Sequence, residues 1–283
     1  MLVFIIRRCV QSLAVLLLMS LLVFVSVYAI GNPIDILISA DADQIERARV
    51  IAAFGLDQPL WVQYFYFIKN ALAGDMGRSF VYATSALGLI LERLPATLEL
   101  AVAAILIAIV IGLPLGLWAG LRPRSFAGKT IMTVSIFGFS LPTFWVGLML
   151  IMVFAVELGW LPTSGRGQTA LLFGIPFGFL TWDGLKHLLM PALNLSLFNI
   201  ALIIRLTRAG TQEALLQDYI KFARAKGLRN SRIIGVHVLK NILIPIVTVV
   251  ALQFGSIIAF SIVTESIFAW PGVGKLLIDS IRV

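Results

Sequence analysis

The sequence predicts an all-α polytopic membrane protein in which five transmembrane helices are visible. Hydrophobic residues make up 60% of the 283 positions and charged residues 13%, with a mean hydropathy of +1.00, whereas soluble domains are roughly 45–50% apolar and ~25% charged. The apolar residues form runs of about twenty, the helix length that crosses a ~30 Å hydrocarbon core. Arginine and lysine collect near the ends of these runs, as they do in membrane proteins.

The first predicted span covers residues 1–30, where Arg7 and Arg8 precede a long apolar run. The run exceeds the 7–15 residues of a signal-peptide core and more spans follow it, so we interpret it as a retained helix. The two arginines predict a cytoplasmic N-terminus.

Residues 31–96 predict an external region, because acidic residues, glycine, proline and aromatic residues replace the apolar run. The pattern over Gln44–Phe54 is typical of a short amphipathic helix. Aromatic side chains form belts at membrane surfaces, and those expected there are Trp61, Tyr64, Phe65 and Phe67.

Residues 97–264 are predicted to form the core of the membrane domain. Its spans are expected at 97–121, 131–156, 188–204 and 242–263. The third span contains Pro142, and the glycine- and proline-rich segment after it predicts an external loop. Residues 265–283 are expected to form an external amphipathic tail.

Charge supports this orientation. The predicted cytoplasmic segments carry thirteen of the 22 basic residues, but only Glu213 and Asp218 among the 14 acidic ones. The thirteen are Arg7, Arg8, Arg122, Arg124, Lys129, Arg205, Arg208, Lys221, Arg224, Lys226, Arg229, Arg232 and Lys240. The net charge of +8 therefore reflects topology and does not indicate nucleic-acid binding, since the aromatic residues lie in apolar runs.

The cytoplasmic loop at residues 207–240 has an amphipathic pattern. One predicted helix face carries residues at spacings of three and four, namely Leu215, Tyr219, Phe222, Ala223 and Lys226. Thr211 and Glu213 are expected at the start of this helix. Gly227 is expected just after its end, because glycine enters the left-handed conformation without steric cost. Asn230 or Ser231 is expected to cap a second helix.

The residues alone leave two interpretations of this loop open. It is either a solvated connection whose charges fix the topology, or a docking element whose exposed aromatic side chains fit a groove on a partner.

The sequence offers no candidate catalytic residues. The two histidines, His187 and His237, are predicted on opposite sides of the membrane, which argues against a metal site. The motifs HExxH, GxSxG and GxxxxGK[ST] are absent. An intramembrane enzyme therefore lacks support, and an ion channel or secondary transporter would need more charged residues in the spans.

Polar residues within the spans have two possible roles. Gln253, Asn194 and Asn199 are the candidates for a translocation path. Polar side chains also join neighbouring membrane helices, and we favour that role for the two asparagines. Glu99 is expected near the outer interface, where a charge costs less.

The stretch from Asp218 to Pro245 resembles the EAA loop of bacterial ABC-type importer permeases. Ala223, Ala225, Lys226 and Gly227 match the AxAKG core, and Ile242, Ile244 and Pro245 match its closing IxLP. The stretch departs from the general loop pattern in two ways: the segment after Gly227 is longer, and Tyr219, preceded by Asp218, stands near the position of the usual leading glutamate. In both respects it is similar to the peptide and nickel importer subfamily. Other matching segments are GLDQPLWVQY (55–64), GDMGRSF (74–80), RLPATLEL (93–100), SLPTFWVGL (140–148), GWLPTSG (159–165) and ESIFAWPGVGKLL (265–277).

The resemblance implies a type I ABC importer permease, the first of two paired permeases, in a bacterial inner membrane. Such a subunit binds no cofactor and has no active site. It works with a second permease, two ATPases that use ATP and magnesium, and an external binding protein. A sixth helix is expected after residue 283. The implied coupling residues are Tyr219, Phe222, Ala223, Ala225, Lys226, Gly227 and Pro245.

The resemblance also limits the substrate. It implies dipeptides or oligopeptides, with nickel complexes or glutathione as alternatives handled by the same family.

Overall fold

The protein is described by a computed structural model over residues 2–30, 51, 57–79, 81–82 and 84–282. The chain divides into two compact units, Met1–Leu89 and Ile90–Val283. The amphipathic helix predicted at Gln44–Phe54 lies outside the described residues, apart from Ile51.

The first unit contains α1 (Leu2–Ile30) and α2 (Leu60–Leu72). Tyr64 of α2 hydrogen bonds the Ser20 hydroxyl at 2.8 Å, and its ring meets Phe24 of α1 edge-on at 5.4 Å. Trp61 and Phe65 are exposed. The predicted aromatic belt therefore divides into side chains that pack on α1 and side chains that project away from it.

Helix α3 (Ala86–Leu121) starts well before residue 97, where the span was predicted to begin. Glu92 and Arg93 ended the apolar run in the sequence, yet the helix continues through them. The predicted boundary at residues 96 and 97 thus falls inside a helix.

The third predicted span, residues 131–156, is wrong as a single straight helix. The structure has α4 (Phe126–Ser140) and α5 (Thr143–Leu150), which continues as a π-helical turn over Ile151–Glu157, with a bend of 104° between the two halves. Leu141 adopts φ −79° and ψ 136°, because the ring of Pro142 disfavours the helical conformation in the residue before it.

The loop before α6 contains a hairpin of β1 (Ala170–Leu172) and β2 (Ile175–Phe177). Phe173 and Gly174 join the strands with φ values of 53° and 80°, the left-handed pair that a two-residue hairpin turn requires.

Helix α6 (Trp182–Leu216) is longer at both ends than the predicted span 188–204. Thr211 and Glu213 lie inside it, so the prediction that they begin the loop helix is wrong. The Thr211 hydroxyl donates to the Thr207 carbonyl at 2.7 Å. It is therefore satisfied within the helix and does not cap a new one.

Helix α7 (Asp218–Ala225) follows after one residue, Gln217. The next helix is continuous from residue 230 to 267: α8 (Asn230–Arg232), a π-helical segment (Ile233–Val238) and α9 (Leu239–Ile267). Its N-cap is Arg229, without a side-chain hydrogen bond, so the predicted cap at Asn230 or Ser231 is wrong. Helix α10 (Val273–Arg282) ends the described chain.

Close packing of α3 against α6 organises the second unit. A Cβ on Gly112, Gly116 or Gly120 of α3 would come within 2.9 Å of a side-chain atom on α6. The α6 residues facing them are Ile203, Thr207 and Thr211. Small residues at every fourth position let two membrane helices approach closely, as in GxxxG pairs.

Within the described residues, four helices are long and apolar enough to cross a membrane, or five if the bent pair α4 and α5 counts as one span. The prediction of a helical polytopic membrane protein is confirmed, with the short hairpin as an addition.

Candidate coupling surface and translocation path

All of the predicted coupling residues except Pro245 lie on α7 or on the glycine turn that ends it. Gly227 has φ 73°. Its N–H donates to the Arg224 carbonyl at 2.9 Å, and the Leu228 N–H donates to the Ala223 carbonyl at 3.2 Å. This bond pair is the Schellman ending of a helix, in which glycine takes the left-handed position. The local structure at Gly227 is the one expected from the sequence.

The inner side of α7 packs into the protein's own core. Ile220 is 0% exposed and Ala223 is 4% exposed. They join a buried apolar cluster with Ala214, Ile233 and Val238, against which Leu228 also packs. Ala223, predicted on one helix face with Tyr219 and Phe222, is therefore buried in this cluster and does not share their exposure.

The outer side of α7 is free for a partner. Phe222 is 62% exposed and Tyr219 39% exposed, while Ala225 and Lys226 are also exposed. The Lys226 ammonium lies 4.5 Å from the centre of the Phe222 ring, a cation–π contact. We call Tyr219, Phe222, Ala225 and Lys226 the outer face of α7. It combines aromatic and cationic groups on one short helix.

Two connections tie α7 to its neighbours. Only Gln217 separates α7 from α6, and the Asn241 amide donates to the Tyr219 hydroxyl at 2.8 Å. Pro245, the last coupling residue, lies exposed one helical turn beyond Asn241 inside α9. Helix α7 is therefore connected to the ends of both α6 and α9.

Near the start of α3, in the part of the unit predicted to be external, Glu99 is buried in an ion pair with Arg166. Its carboxylate Oε2 accepts from Arg166 Nε at 2.9 Å and from Nη2 at 2.5 Å, and Oε1 accepts from the Phe179 N–H at 2.7 Å. Arg166 also donates to the Pro176 carbonyl at 2.7 Å. This buried pair fastens the hairpin loop to α3. The location of Glu99 near the outer interface stays a prediction.

A second buried carboxylate, Glu265 at the end of α9, is 0% exposed. It accepts from the Thr97 hydroxyl at 2.7 Å, from Ser261 at 3.0 Å and from the Lys275 N–H at 3.0 Å. The last contact places a negative charge at the N-terminus of α10, where the helix dipole stabilises it. A Cβ on Gly272 would overlap the carboxylate.

The same cluster extends across three elements. The Thr97 hydroxyl accepts from the Val273 N–H at 2.8 Å, and the Trp270 indole donates to the Ala96 carbonyl at 2.9 Å. The Gly165 N–H donates to the Phe268 carbonyl at 2.8 Å. Together with Glu265 and Glu99, these contacts form what we call the external clamp.

The three candidate path residues occupy different environments. Asn194 is fully buried and donates to the Thr264 hydroxyl at 3.1 Å, which joins α6 to α9. Asn199 is 6% exposed, and Gln253 is half-buried on α9. Asn194 thus bridges two helices, whereas Gln253 is the most accessible of the three residues.

Two functional features escaped the sequence interpretation. The external clamp joins residues far apart in sequence, such as Thr97 and Glu265, and no local pattern signals that pairing. The Gly112–Gly116–Gly120 stripe was visible as a repeat of small residues four apart and could have been found.

Family profiles match both parts of the chain. The profile described as "Binding-protein-dependent transport system inner membrane component" matches residues 112–282, and its N-terminal counterpart matches residues 1–101.

Relatives match along nearly the whole chain. A di/tripeptide transport system permease protein, DppB of Pseudomonas aeruginosa (strain UCBPP-PA14), is 40% identical, covering 99% of this chain and 88% of the relative. An oligopeptide transport system permease protein, AppB of Bacillus subtilis (strain 168), is 39% identical, covering 98% and 86%. A glutathione transport system permease protein, GsiC of Escherichia coli (strain K12), is 36% identical, covering 100% and 88%.

The fold is similar to that of a solved structure. An inward-facing MetNI methionine ABC transporter matches with a TM-score of 0.51 and 17% identity, over 67% of this chain and 79% of the other. With this likeness of fold, the helical membrane architecture and the family profile over residues 112–282, the chain belongs to the family of binding-protein-dependent transport system inner membrane components, the permease subunits of ABC importers.

Proposed function

We propose that this permease carries short peptides and forms one half of a translocation channel with a second permease. Two cytoplasmic ATPases would bind the outer face of α7, and an external binding protein would deliver the substrate. The proposal rests on the exposure of Tyr219 and Phe222 on the outer face of α7, while the other side of this helix packs into the buried core.

Coupling would follow from the way α7 is attached. Ile220 and Ala223 pack α7 against the buried cluster. A single residue, Gln217, connects α7 to α6, and the hydrogen bond between Tyr219 and Asn241 connects it to α9. When the ATPases close on ATP and magnesium, α7 would move with the ends of α6 and α9. The bound helix thus turns ATPase closure into a tilt of two spans.

The orientation proposed here places the N-terminus and α7 in the cytoplasm and the external clamp on the opposite side of a bacterial inner membrane. Lysine and arginine are concentrated at the α7 end, as the positive-inside rule requires. Gln253 is the proposed contact with the substrate path, because Asn194 already bridges α6 and α9.

Peptide is the proposed substrate because the di/tripeptide and oligopeptide permeases named above match nearly the whole chain at 39–40% identity. Glutathione, itself a short peptide, is the second candidate, and the glutathione permease at 36% identity supports it.

The test is reconstitution of the complete importer in vesicles, followed by measurement of ATP hydrolysis and of labelled substrate uptake. Binding protein loaded with a dipeptide should stimulate both, and glutathione or a nickel complex should compete weakly or not at all. ATPases that fail to associate with this chain would exclude the coupling proposal. Stimulation by glutathione alone would keep the coupling proposal and replace the substrate.

A further inference from the structure

A groove in the membrane domain lies away from α7 and the external clamp. It has a volume of about 590 Å³ and is lined by α3, α4 and α6, with Ile111, Thr130, Val134, Gly138, Leu197 and Ile204 among its walls. The lining is almost entirely apolar. Nothing in the transport proposal uses this groove.

The groove has the length of one membrane leaflet. Its α4 wall runs from Phe126 to Gly138, which is about 18 Å of helix at ~1.5 Å per residue. Half of a ~30 Å hydrocarbon core is about 15 Å. The groove is therefore long enough to reach from a membrane surface to the bilayer centre.

One end of the groove is basic. The turn between α3 and α4 carries Arg122 and Arg124, and Lys129 follows in the first turn of α4, all three exposed. The Arg122 guanidinium lies 4.9 Å from the centre of the exposed Trp118 ring. None of the three basic side chains has an ion-pair partner among the residues that the structure describes.

The size of the groove distinguishes between two apolar occupants, a partner helix and a lipid acyl chain. A helix about 10 Å wide and ~18 Å long occupies roughly 1,400 Å³, which is more space than the groove encloses. A partner helix could only lie across the opening, whereas a single acyl chain can enter it. Arg122, Arg124 and Lys129 lie close in sequence to Phe126, which lines one end of the groove, and have no ion-pair partner among the described residues. These cations favour an anionic headgroup, since basic pockets between helices attract such lipids.

We propose that this groove binds an anionic phospholipid from the leaflet on the α7 side of the membrane. An acyl chain fills the space beside Val134 and Gly138, and the phosphate lies against Arg122, Arg124 and Lys129. The site is separate from the peptide path and would make transport depend on lipid composition.

The test uses a photoactivatable phosphatidylglycerol with a diazirine on its acyl chain. The full chain, alone and within its importer complex, is placed in phosphatidylcholine nanodiscs that contain a small fraction of the probe. After irradiation, the labelled residues are mapped by mass spectrometry. A phosphatidylcholine probe with the same diazirine provides the comparison.

We expect label on α4 and α6 groove residues in both preparations, with phosphatidylglycerol favoured by about tenfold over phosphatidylcholine. The triple variant R122Q/R124Q/K129Q should lose this preference, while R224Q/R229Q/R232Q, with the same change in charge on the same side, should keep it. Equal labelling by both probes would overturn the proposal. So would protection of the groove within the complex, because a protein partner would then cover it.

A second pair of variants tests the groove without changing charge. A Cβ at Gly138 meets no atom within 4 Å, so Gly138→Leu should fill the groove without disturbing the fold and should reduce groove labelling severalfold. Gly255 of α9 also has open space around it, and Gly255→Leu is the matched control that should leave labelling unchanged. Unchanged labelling in Gly138→Leu would show that the acyl chain lies elsewhere.

Discussion

The two ends of the second unit are held together by different forces. The external clamp uses directional contacts between side chains far apart in sequence, including the buried Glu99–Arg166 pair and the Glu265 carboxylate. The α7 end uses an apolar cluster around Ile220 and Ala223, and its ion pair, Lys221–Asp218, is exposed. Apolar packing is non-directional, whereas a buried hydrogen-bonded charge tolerates little displacement.

This contrast indicates a division of tasks. The external end keeps the hairpin loop, α3, α9 and α10 in one fixed arrangement. If α7 is the coupling helix proposed above, apolar packing would let the α7 end move as a body while its cluster stays in contact. The fixed external end would then hold the other ends of the same helices in place.

The largest effect is expected when one partner of the buried pair is removed. Arg166→Met leaves the Glu99 carboxylate buried without its cation, at a cost of about 3–5 kcal/mol. The thermal unfolding midpoint of the purified complex should fall sharply. The double variant Glu99→Leu/Arg166→Met should recover much of the loss, because no buried charge is then left unpaired.

The matched control is the exposed pair at the other end. Lys221→Met removes the partner of Asp218, where both side chains are solvent-exposed, and surface pairs contribute little. Its midpoint should match that of the unmodified protein. If both variants shift the midpoint equally, the two ends do not differ in the way described above.

A smaller effect is expected for Thr97→Val. Valine keeps the shape of threonine but cannot donate to Glu265 or accept from the Val273 N–H, so two buried groups lose a partner at a cost of about 2 kcal/mol. Urea or heat denaturation of the complex measures this loss. Thr248→Val is the control, because its exposed hydroxyl only donates within α9. An unchanged Thr97→Val variant would show that the clamp is not continuous through Thr97.

At the α7 end, Gly227→Val tests the turn. No atom lies within 4 Å of a Cβ at this position, so the cost comes from the φ of 73° and is about 1–2 kcal/mol. We expect normal membrane insertion with strongly reduced peptide uptake, measured in vesicles. Gly227→Asn, which tolerates the left-handed conformation, should transport nearly normally. Normal uptake by the valine variant would exclude the turn as a coupling feature.

The sequence predicted the α7 end much better than the external end. Gly227 carries its own conformational signal, and Tyr219, Phe222 and Lys226 follow local helical spacing. Ile220 and Ala223 could not be assigned to the inner side, because burial depends on α6 and the helix from Asn230. The external clamp depends on Thr97 meeting Glu265 and Glu99 meeting Arg166, and such distant pairs leave no periodic trace.

Helix ends were predicted least well. The length of an apolar run reflects the thickness of the membrane. Helices α3 and α6 are longer than their apolar runs, because their outer turns pack on other parts of the protein. The break at Pro142 is the opposite case. Its local cause, a proline that forces Leu141 into an extended conformation, was visible in the sequence, but the 104° bend also requires neighbouring helices that receive the two halves.

The smallest effect on stability is expected for Phe222→Ala on the outer face of α7. The ring is 62% exposed and contacts Lys226, so its removal should change the free energy of unfolding by less than about 0.5 kcal/mol. If this face binds the ATPases, the same variant should still weaken their association by tenfold or more, since exposed aromatic anchors dominate such interfaces. Phe260→Ala removes a ring on α9 that is 72% exposed, and this control should leave association unchanged. Co-purification of the ATPases with tagged permease measures both. A Phe222→Ala complex as tight as the unmodified one would mean that the ATPases bind elsewhere, and the exposed aromatic side chains of α7 would then need a different explanation.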